Sequence, residues 1–285
     1  MPPWVSPQLD CGLGNRLFQF AAACGTAERW GLRTVFYMPE CAGAHHGAVG
    51  SLFRLFPSVE VVEEQEQATA IPEPERRYYE YIDPEDEAPI GGNIIFRGFR
   101  QSPRYFPKQP GKLRPSWANA LGGGPIMRAL EKELGLSDPE ERRRTVALHF
   151  RLGDYKNLPH YNYPAEKYYP VALDRVRPWQ RVILFSDEPH LCLKMFASWA
   201  SIHGIQLTVA KVRADIESLY QMSLCLGGTI TSNSTFSWWA AWFAHEAGAP
   251  WATYPSSMGV GQPKPVDYYP EWATVIPVDS NPSEN

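Results

Sequence analysis

The chain has 285 residues, of which 44% are apolar, so it can bury the core of one large or two ordinary domains. Its formal net charge of -4 excludes the basic excess that proteins use to bind nucleic acid, and no such partner is expected. The five cysteines show no Cys-x-x-Cys spacing, which excludes the usual zinc and disulfide frameworks and predicts reduced thiols.

In the first half of the chain, the pattern of residues 5–31 predicts a strand, a glycine turn and a helix. The turn is Asp10-Cys11-Gly12-Leu13-Gly14-Asn15, and the apolar residues after it recur at helical spacing and stop before Gly31. Glycines before a helix let its N–H groups approach an anion. Leu17 stands where a dinucleotide fingerprint needs its third glycine, so a nicotinamide oxidoreductase is disfavoured. The other elements expected in this half are strands at 33–37, 78–82 and 94–96, a helix at 125–136 and a linker at 138–144.

From residue 145 onward, strand and helix patterns alternate regularly. The expected strands are 145–150, 181–186, 205–210, 228–232 and 250–254, and the expected helices are 165–177, 188–200, 215–226 and 235–247. This alternation predicts a parallel sheet with helices on both faces. We therefore expect an α/β protein with two Rossmann-like domains, at 1–140 and 141–285, whose C-terminal tail packs back on the first domain.

The apolar run 145–150 ends in a cluster of ionisable residues. His149, Arg151 and Asp154 surround a turn marked by Gly153, at the carboxyl edge of the predicted sheet, where open α/β sheets bind ligands. The planar fork of donors on an arginine matches phosphate oxygens, which makes Arg151 a candidate phosphate clamp. A salt bridge that only pins the loop is the alternative.

A second cluster of small polar residues lies between the strand expected at 228–232 and the helix expected at 235–247. Ser234, Thr235 and Ser237 suit helix N-caps, which is the structural interpretation. The same helix N-terminus favours an anion through its unpaired N–H groups and its dipole. A phosphate site is therefore the functional interpretation.

The segment around Arg151 resembles the α-1,2-fucosyltransferase family, which is glycosyltransferase family 11. Its residues His149-Phe150-Arg151-Leu152-Gly153-Asp154-Tyr155 match the family signature His-x-Arg-Arg-x-Asp-Tyr, with Leu152 in place of the second arginine. Further segments that resemble the family, in the same order along the chain, are 12–20, 98–106, 185–188 and 234–243. Ser218 departs from the family, whose members usually have an aspartate there that helps to read guanine.

The resemblance implies a GT-B-type glycosyltransferase, with two Rossmann-like domains facing across a cleft, that transfers L-fucose from GDP-fucose to a sugar hydroxyl of a glycan acceptor. It implies a catalytic role for Arg151, whereas the general base stays open among Asp154, His149 and Asp10. The donor-binding residues that it implies are Gly12, Gly14, Asn15, Arg151, Asp187, Glu217, Ser234, Thr235 and Ser237. The acceptor-side residues that it implies are Arg16, Gln101 and Tyr105.

The chain contains no Asp-x-Asp sequence, which usually holds a divalent ion on a nucleotide diphosphate. We therefore expect an inverting transfer that needs no metal and no other cofactor. His45 and His46 are adjacent and point in different directions on a regular element, so we expect a solvent-exposed or acceptor-rim position rather than a metal pair. Leu152 and Ser218 motivate two alternatives: a carbohydrate- or nucleotide-binding protein without transfer activity, and a transferase for another nucleotide sugar.

The sequence also bears on location. No run of about eighteen apolar residues predicts a transmembrane helix. The first residues lack the basic start and apolar block of a secretory signal. We expect a cytoplasmic protein, or a soluble catalytic fragment of a larger or anchored one.

Overall fold

The computed structural model describes residues 2–41, 49–84, 91–109 and 111–278. It does not describe the side chains of Asp154 and Lys156. His45 and His46, expected at the rim of the acceptor site, lie outside the described residues.

The chain divides into two compact units. The first comprises the residues up to Gly123 together with Pro265–Pro270. The second comprises Gly124–Lys264 together with the residues from Glu271 onward. Each unit has its own parallel sheet with helices packed against it.

The sheet of the first unit has five strands in the order β3-β2-β1-β5-β4, and each pairing between neighbours is parallel. Its strands are β1 (Trp4–Pro7), β2 (Arg33–Tyr37), β3 (Glu60–Val62), β4 (Ala68–Ile71) and β5 (Asn93–Phe96). Its helices are α1 (Leu13–Trp30), α2 (Met38–Cys41), α3 (Gly50–Leu55) and α4 (Trp117–Leu121).

Helix α1 is the centre of the first unit because it is buried around most of its circumference. Nearly all of its side chains from Leu13 to Ala27 are buried. It ends at Gly31, which adopts the left-handed conformation with φ of 65°. Gly25 allows the loop after β5 to approach the helix, since a Cβ at Gly25 would lie 1.7 Å from the carbonyl oxygen of Tyr105.

The segment Pro265–Pro270 packs within the first unit although it comes late in the chain. The ring of Tyr268 is 2% exposed and stacks on Phe18 with the ring centroids 5.9 Å apart. Asp267 Oδ1 lies 3.1 Å from Nη1 of Arg104. A buried aromatic ring and an ion pair therefore anchor this segment to the first unit.

The sheet of the second unit has six strands in the order β11-β10-β9-β6-β7-β8, again with parallel pairing. Its strands are β6 (Thr145–Phe150), β7 (Arg181–Ser186), β8 (Gln206–Val209), β9 (Gly228–Ile230), β10 (Ala252–Pro255) and β11 (Thr274–Ile276). Its helices are α5 (Gly124–Glu133), α6 (Pro139–Arg144), α7 (Ala165–Leu173), α8 (Pro189–His203), α9 (Asp215–Ser223) and α10 (Thr235–Glu246).

Strand β6 is one of the two central strands of the second sheet. All of its residues are buried, because neighbouring strands pair with both of its edges and packed side chains cover both faces. Helix α10 is also largely buried, and its residues Trp238, Trp239 and Ala240 have no exposed surface. These two elements meet at the turn that follows β9, which is where the polar residues of the candidate site lie.

Two elements expected from the sequence are wrong. Residues 78–82 form turns and irregular backbone rather than a strand. Their aromatic rings pack on other rings, as Tyr79 does against Tyr268, instead of alternating across a sheet. The expected linker at 138–144 is helix α6, which Asp138 caps by accepting a hydrogen bond from the N–H of Glu140.

Candidate functional site

The carboxyl ends of β6 and β9 form the topological switch point of the second sheet. Strands β6, β7 and β8 follow one another toward one edge of the sheet, and the next strand in the sequence, β9, pairs with the opposite side of β6. Strand pairing places Phe150 beside Ser186 on one flank of β6 and Leu148 beside Ile230 on the other. The connections that leave β6 and β9 therefore diverge, and open α/β sheets bind nucleotides in such a crevice.

Arg151 follows β6 and is held at this edge by Asp187, which follows β7. The Nε of Arg151 lies 3.2 Å from Asp187 Oδ2, and Asp187 Oδ1 accepts a hydrogen bond of 2.9 Å from the N–H of Leu152. A side chain at Gly153 would prevent this arrangement, because its Cβ would lie 2.4 Å from Asp187 Oδ2. Asp154 begins the next turn of the loop. The planar fork of N–H donors on a guanidinium matches the oxygens of a phosphate.

His149 joins the end of β6 to the turn after β9. Its imidazole is 5% exposed, and Nδ1 lies 2.9 Å from Ser232 Oγ. Burial and, to a smaller extent, the charge of Arg151 lower the pKa of His149 to about 3. A neutral and weakly basic imidazole is a poor proton acceptor, so the geometry favours a structural role for His149 over general-base catalysis.

The start of helix α10 is built by serines. Ser234 is the N-cap, and its Oγ accepts a hydrogen bond of 3.3 Å from the N–H of Phe236. The buried Ser237 hydroxyl donates to the carbonyl of Ser234 and accepts from the N–H of Ser232, both at 3.1 Å. Thr235 is half-buried in the first turn. Ser234 and Ser237 thus shape the turn, while the helix N-terminus itself supplies the positive end of a dipole.

Glu217 lies in helix α9, which starts after the edge strand β8. Its Oε2 lies 3.3 Å from Nη1 of Arg213, and Arg213 also forms an ion pair with Glu133. The hydrogen bond from Arg213 holds the pKa of Glu133 below its usual range. Strand β8 is two strands away from β6, or about 10 Å along the sheet edge. The predicted guanine-reading role of Glu217 stays a prediction.

The first unit has a second switch point, between β1 and β5. The side chains of Asn15 and Gln101 meet there, and Gln101 Nε2 donates a hydrogen bond of 2.9 Å to Asn15 Oδ1. Gly12 is the N-cap of α1, and no described atom would obstruct a Cβ at that position. Gly14 is buried within the first turn of α1. The structure therefore brings the predicted residues of the glycine turn together with Gln101.

The other two predicted acceptor-side residues are buried. Arg16 is 3% exposed, and Tyr105 is fully buried. The Tyr105 hydroxyl accepts hydrogen bonds from the N–H of Ile82 at 2.8 Å and from Nη1 of Arg100 at 3.4 Å. Tyr105 thus belongs to the core of the first unit, which corrects its expected acceptor-side role, because a ring without exposed surface cannot contact a glycan.

Within the described part of the chain, no three His, Cys, Asp or Glu residues cluster in a way that could hold a metal ion. Within the same ranges, no helix combines the length and the apolar character that crossing a bilayer requires.

Comparison with known proteins identifies the family. The model of glycosyl transferase family 11 matches residues 79–275, which include β6, Arg151 and the start of α10. The chain belongs to glycosyl transferase family 11. The family resemblance inferred from the sequence motifs is therefore confirmed.

Two curated proteins of Escherichia coli align with parts of this family 11 protein. The O-antigen biosynthesis glycosyltransferase WbnK is 31% identical over 109 residues, which is 36% of this chain and 35% of WbnK. An alpha-1,2-colitosyltransferase is 28% identical over 165 residues, which is 53% of this chain and 51% of that protein. The aligned segments thus span about a third and about half of the length of these relatives.

Solved structures share the fold of this family 11 protein. Fucosyltransferase NodZ from Bradyrhizobium has a TM-score of 0.51 at 13% identity, covering 84% of this chain and 92% of NodZ. NodZ alpha-1,6-fucosyltransferase soaked with GDP-fucose has a TM-score of 0.50 at 14% identity, covering 84% and 91%. A family 9 glycosyl transferase from Veillonella parvula has a TM-score of 0.51 at 12% identity, covering 99% and 89%. The predicted α/β fold of GT-B type is confirmed.

Sequence patterns gave Asn233 no role in the candidate site, and they used Gly153 only as a turn marker. Asn233 is 2% exposed and donates hydrogen bonds to two loops. In the sequence it begins the formal glycosylation sequon Asn233-Ser234-Thr235 and directly precedes an N-cap, and neither feature predicts these hydrogen bonds. The role of Gly153 depends on Asp187, which is distant in the sequence, and no local pattern shows that contact.

Proposed function

We propose that this family 11 protein transfers L-fucose from GDP-fucose to a sugar hydroxyl of a glycan acceptor, with inversion and without a metal ion. One observation carries the proposal: Arg151 and the N-terminus of α10 flank the switch point of the second sheet. The hydrogen bond between His149 and Ser232 links their two strand ends. NodZ, of which a structure soaked with GDP-fucose exists, has the same fold and supports the choice of donor.

The proposed chemistry requires positive charge where the nucleotide leaves. As the bond between the fucose carbon and the phosphate oxygen breaks, its electron pair stays on GDP, and negative charge grows on the diphosphate. Arg151 and the dipole of α10 would stabilise that charge. Because Asp187 already holds Arg151 in place, little reorganisation is needed during the reaction.

The acceptor hydroxyl must lose a proton when it attacks the opposite face of the fucose. We propose that a carboxylate accepts this proton, because His149 is buried and weakly basic. Asp154, close to Arg151 in the sequence, and Asp10, in the glycine turn of the first unit, are the candidates. The variants Asp154→Asn and Asp10→Asn separate them, since only loss of the base abolishes transfer while GDP still binds normally.

A donor panel tests the reaction class. Hydrolysis of GDP-, UDP- and dTDP-sugars would be measured with and without EDTA, because slow hydrolysis needs no acceptor. We expect GDP-fucose to be the preferred donor and EDTA to leave the rate unchanged. Preference for a UDP-sugar, or loss of activity with EDTA, would contradict the proposal. GDP binding without any hydrolysis would favour a binding protein with the same fold.

The role of Arg151 is tested with a matched control. Arg151→Ala should lower the rate of transfer by about 100-fold or more, which is the cost of removing one preorganised donor from a developing charge. Arg143→Ala is the control, because Arg143 lies in α6 with 62% of its side chain exposed. Near-normal turnover of Arg151→Ala would refute the assignment.

A second donor is supported by one comparison. Of the two curated relatives, the alpha-1,2-colitosyltransferase aligns with the longer segment of this chain. A colitosyl nucleotide therefore belongs in the same donor panel. A higher kcat/KM for that nucleotide than for GDP-fucose would identify colitose, and not fucose, as the transferred sugar. The charge stabilisation by Arg151 would remain unchanged.

A further inference from the structure

The loop 151–162, between β6 and α7, connects the two parts of the proposed diphosphate site. Arg151 lies at the start of the loop, where Asp187 holds it. Near the end of the loop, the carbonyl oxygen of Tyr161 accepts a hydrogen bond of 2.8 Å from Nδ2 of Asn233. Asn233 directly precedes the N-cap of α10. The loop is therefore tied at one end to the residue after β7 and at the other end to the start of α10.

The amide of Asn233 fastens two loops at once. Its Nδ2 also donates a hydrogen bond of 3.0 Å to the carbonyl of Met258. The loop that contains Met258 supports the first loop in turn, since the N–H of Val260 donates to the carbonyl of Asn162 at 3.1 Å. An amide that is 2% exposed and satisfies two carbonyls is difficult to replace, because both carbonyls would lose their partner. The position of Tyr161 relative to α10 thus depends on Asn233.

Aromatic contacts extend this support to Arg151. The rings of Tyr161 and Tyr155 are stacked, with centroids 4.4 Å apart and planes 10° from parallel. The ring of Tyr155 lies 5.6 Å from Cζ of Arg151, which is within the range of a cation–π contact. Asp187 restrains Arg151 at Nε, and Tyr155 restrains the guanidinium from a second direction.

We infer that Asn233 and Tyr155 are positioning residues of the transfer site. Asn233 holds Tyr161, the ring of Tyr161 supports Tyr155, and Tyr155 sets the guanidinium of Arg151 against the donor diphosphate. The inference rests on the proposed role of Arg151. A residue that acts only through Arg151 loses its effect on the nucleotide once Arg151 is gone, whereas a purely structural residue does not.

A double-mutant cycle tests the inference. The GDP affinity of the full chain would be measured by calorimetry for Asn233→Ala, Arg151→Ala and the double variant, with thermal unfolding of each in parallel. We expect Asn233→Ala alone to weaken GDP binding about tenfold, which is the scale of one lost charge-assisted hydrogen bond. In the Arg151→Ala background the same change should alter affinity by less than about twofold.

Conservative variants and a control complete the experiment. Tyr155→Phe keeps the ring and should retain the GDP affinity of the unmodified protein. Tyr155→Ala should lower GDP affinity as Asn233→Ala does, and this effect should likewise disappear in the Arg151→Ala background. If Asn233→Ala does not fold, the cycle is run with Tyr155→Ala. Asn93→Ala is the control, because Asn93 also makes two amide hydrogen bonds but lies in the first unit, and GDP affinity should not change.

The outcomes separate this inference from the proposed function. The positioning role alone would be overturned if Asn233→Ala lowered GDP affinity equally in the unmodified protein and in Arg151→Ala. A Tyr155→Ala variant that binds GDP normally would overturn it as well. An Arg151→Ala variant that binds GDP normally and retains transfer activity would overturn the proposed function, and the positioning role with it.

Discussion

Protonation of His149 should destabilise the second unit at acidic pH. The imidazole is 5% exposed and its pKa is lowered from 6.5 to about 3, mainly by burial. Between these two values the unfolded chain binds a proton that the folded chain excludes, so the free energy of unfolding falls as the pH falls. Above the unfolded pKa the stability is complete, and below about pH 3 no further loss occurs because both states are protonated.

The magnitude follows from the linkage relation. Each pH unit in this window costs about 1.4 kcal/mol, so the loss at about pH 5 is on the order of 2 kcal/mol. His149→Gln removes the titration and keeps a side chain that can bond the Ser232 hydroxyl. Unfolding by urea at neutral and at mildly acidic pH would measure the difference for both proteins.

The expected result is a smaller dependence on pH in His149→Gln than in the unmodified protein, by the same order of 2 kcal/mol. His190→Gln is the control for the substitution itself, because His190 is exposed on α8. Equal pH dependence in His149→Gln and the unmodified protein would refute a buried, neutral His149.

Three substitutions test packing around the two switch points. Gly25→Ala should destabilise the first unit by about 1–3 kcal/mol or more, because the added Cβ meets the carbonyl of Tyr105 at 1.7 Å, and a normal melting temperature would contradict this contact. Gly153→Ala should displace Asp187 from Arg151 and weaken GDP binding, measured by calorimetry, about tenfold. Unchanged GDP affinity would show that the Asp187 carboxylate does not position the Arg151 guanidinium. Tyr105→Phe should cost about 1 kcal/mol of stability, because the partly buried main-chain N–H of Ile82 loses its acceptor, and the KM for the glycan acceptor should not change. A raised KM with normal stability would restore an acceptor-side role.

The sequence predicts the central strands of the second sheet well and misses several short strands at the edges of the two sheets. Strands β6 and β7 match their expected bounds, because strands buried on both faces read as continuous apolar runs. Strands β3, β4 and β11 were not predicted, because each has only three or four residues and at least one is exposed or half-exposed. Such segments become strands only when a longer neighbour pairs with them, and that pairing is not visible locally.

The candidate site shows the same division between local and distant information. Arg151 and the start of α10 could be predicted, since each lies at the end of a clear strand pattern. The contact of Asp187 with Gly153 and the hydrogen bonds of Asn233 depend on where separate loops meet. Tyr105 was assigned to the acceptor side from a motif, but its ring fills the core, so a motif alone does not distinguish a ligand contact from packing.

A crystal structure of the full chain with bound GDP would show where the diphosphate lies. We expect its phosphoryl oxygens within hydrogen-bonding distance of the Arg151 guanidinium and of the N-terminus of α10. A diphosphate bound away from both groups would refute their role in stabilising the departing nucleotide.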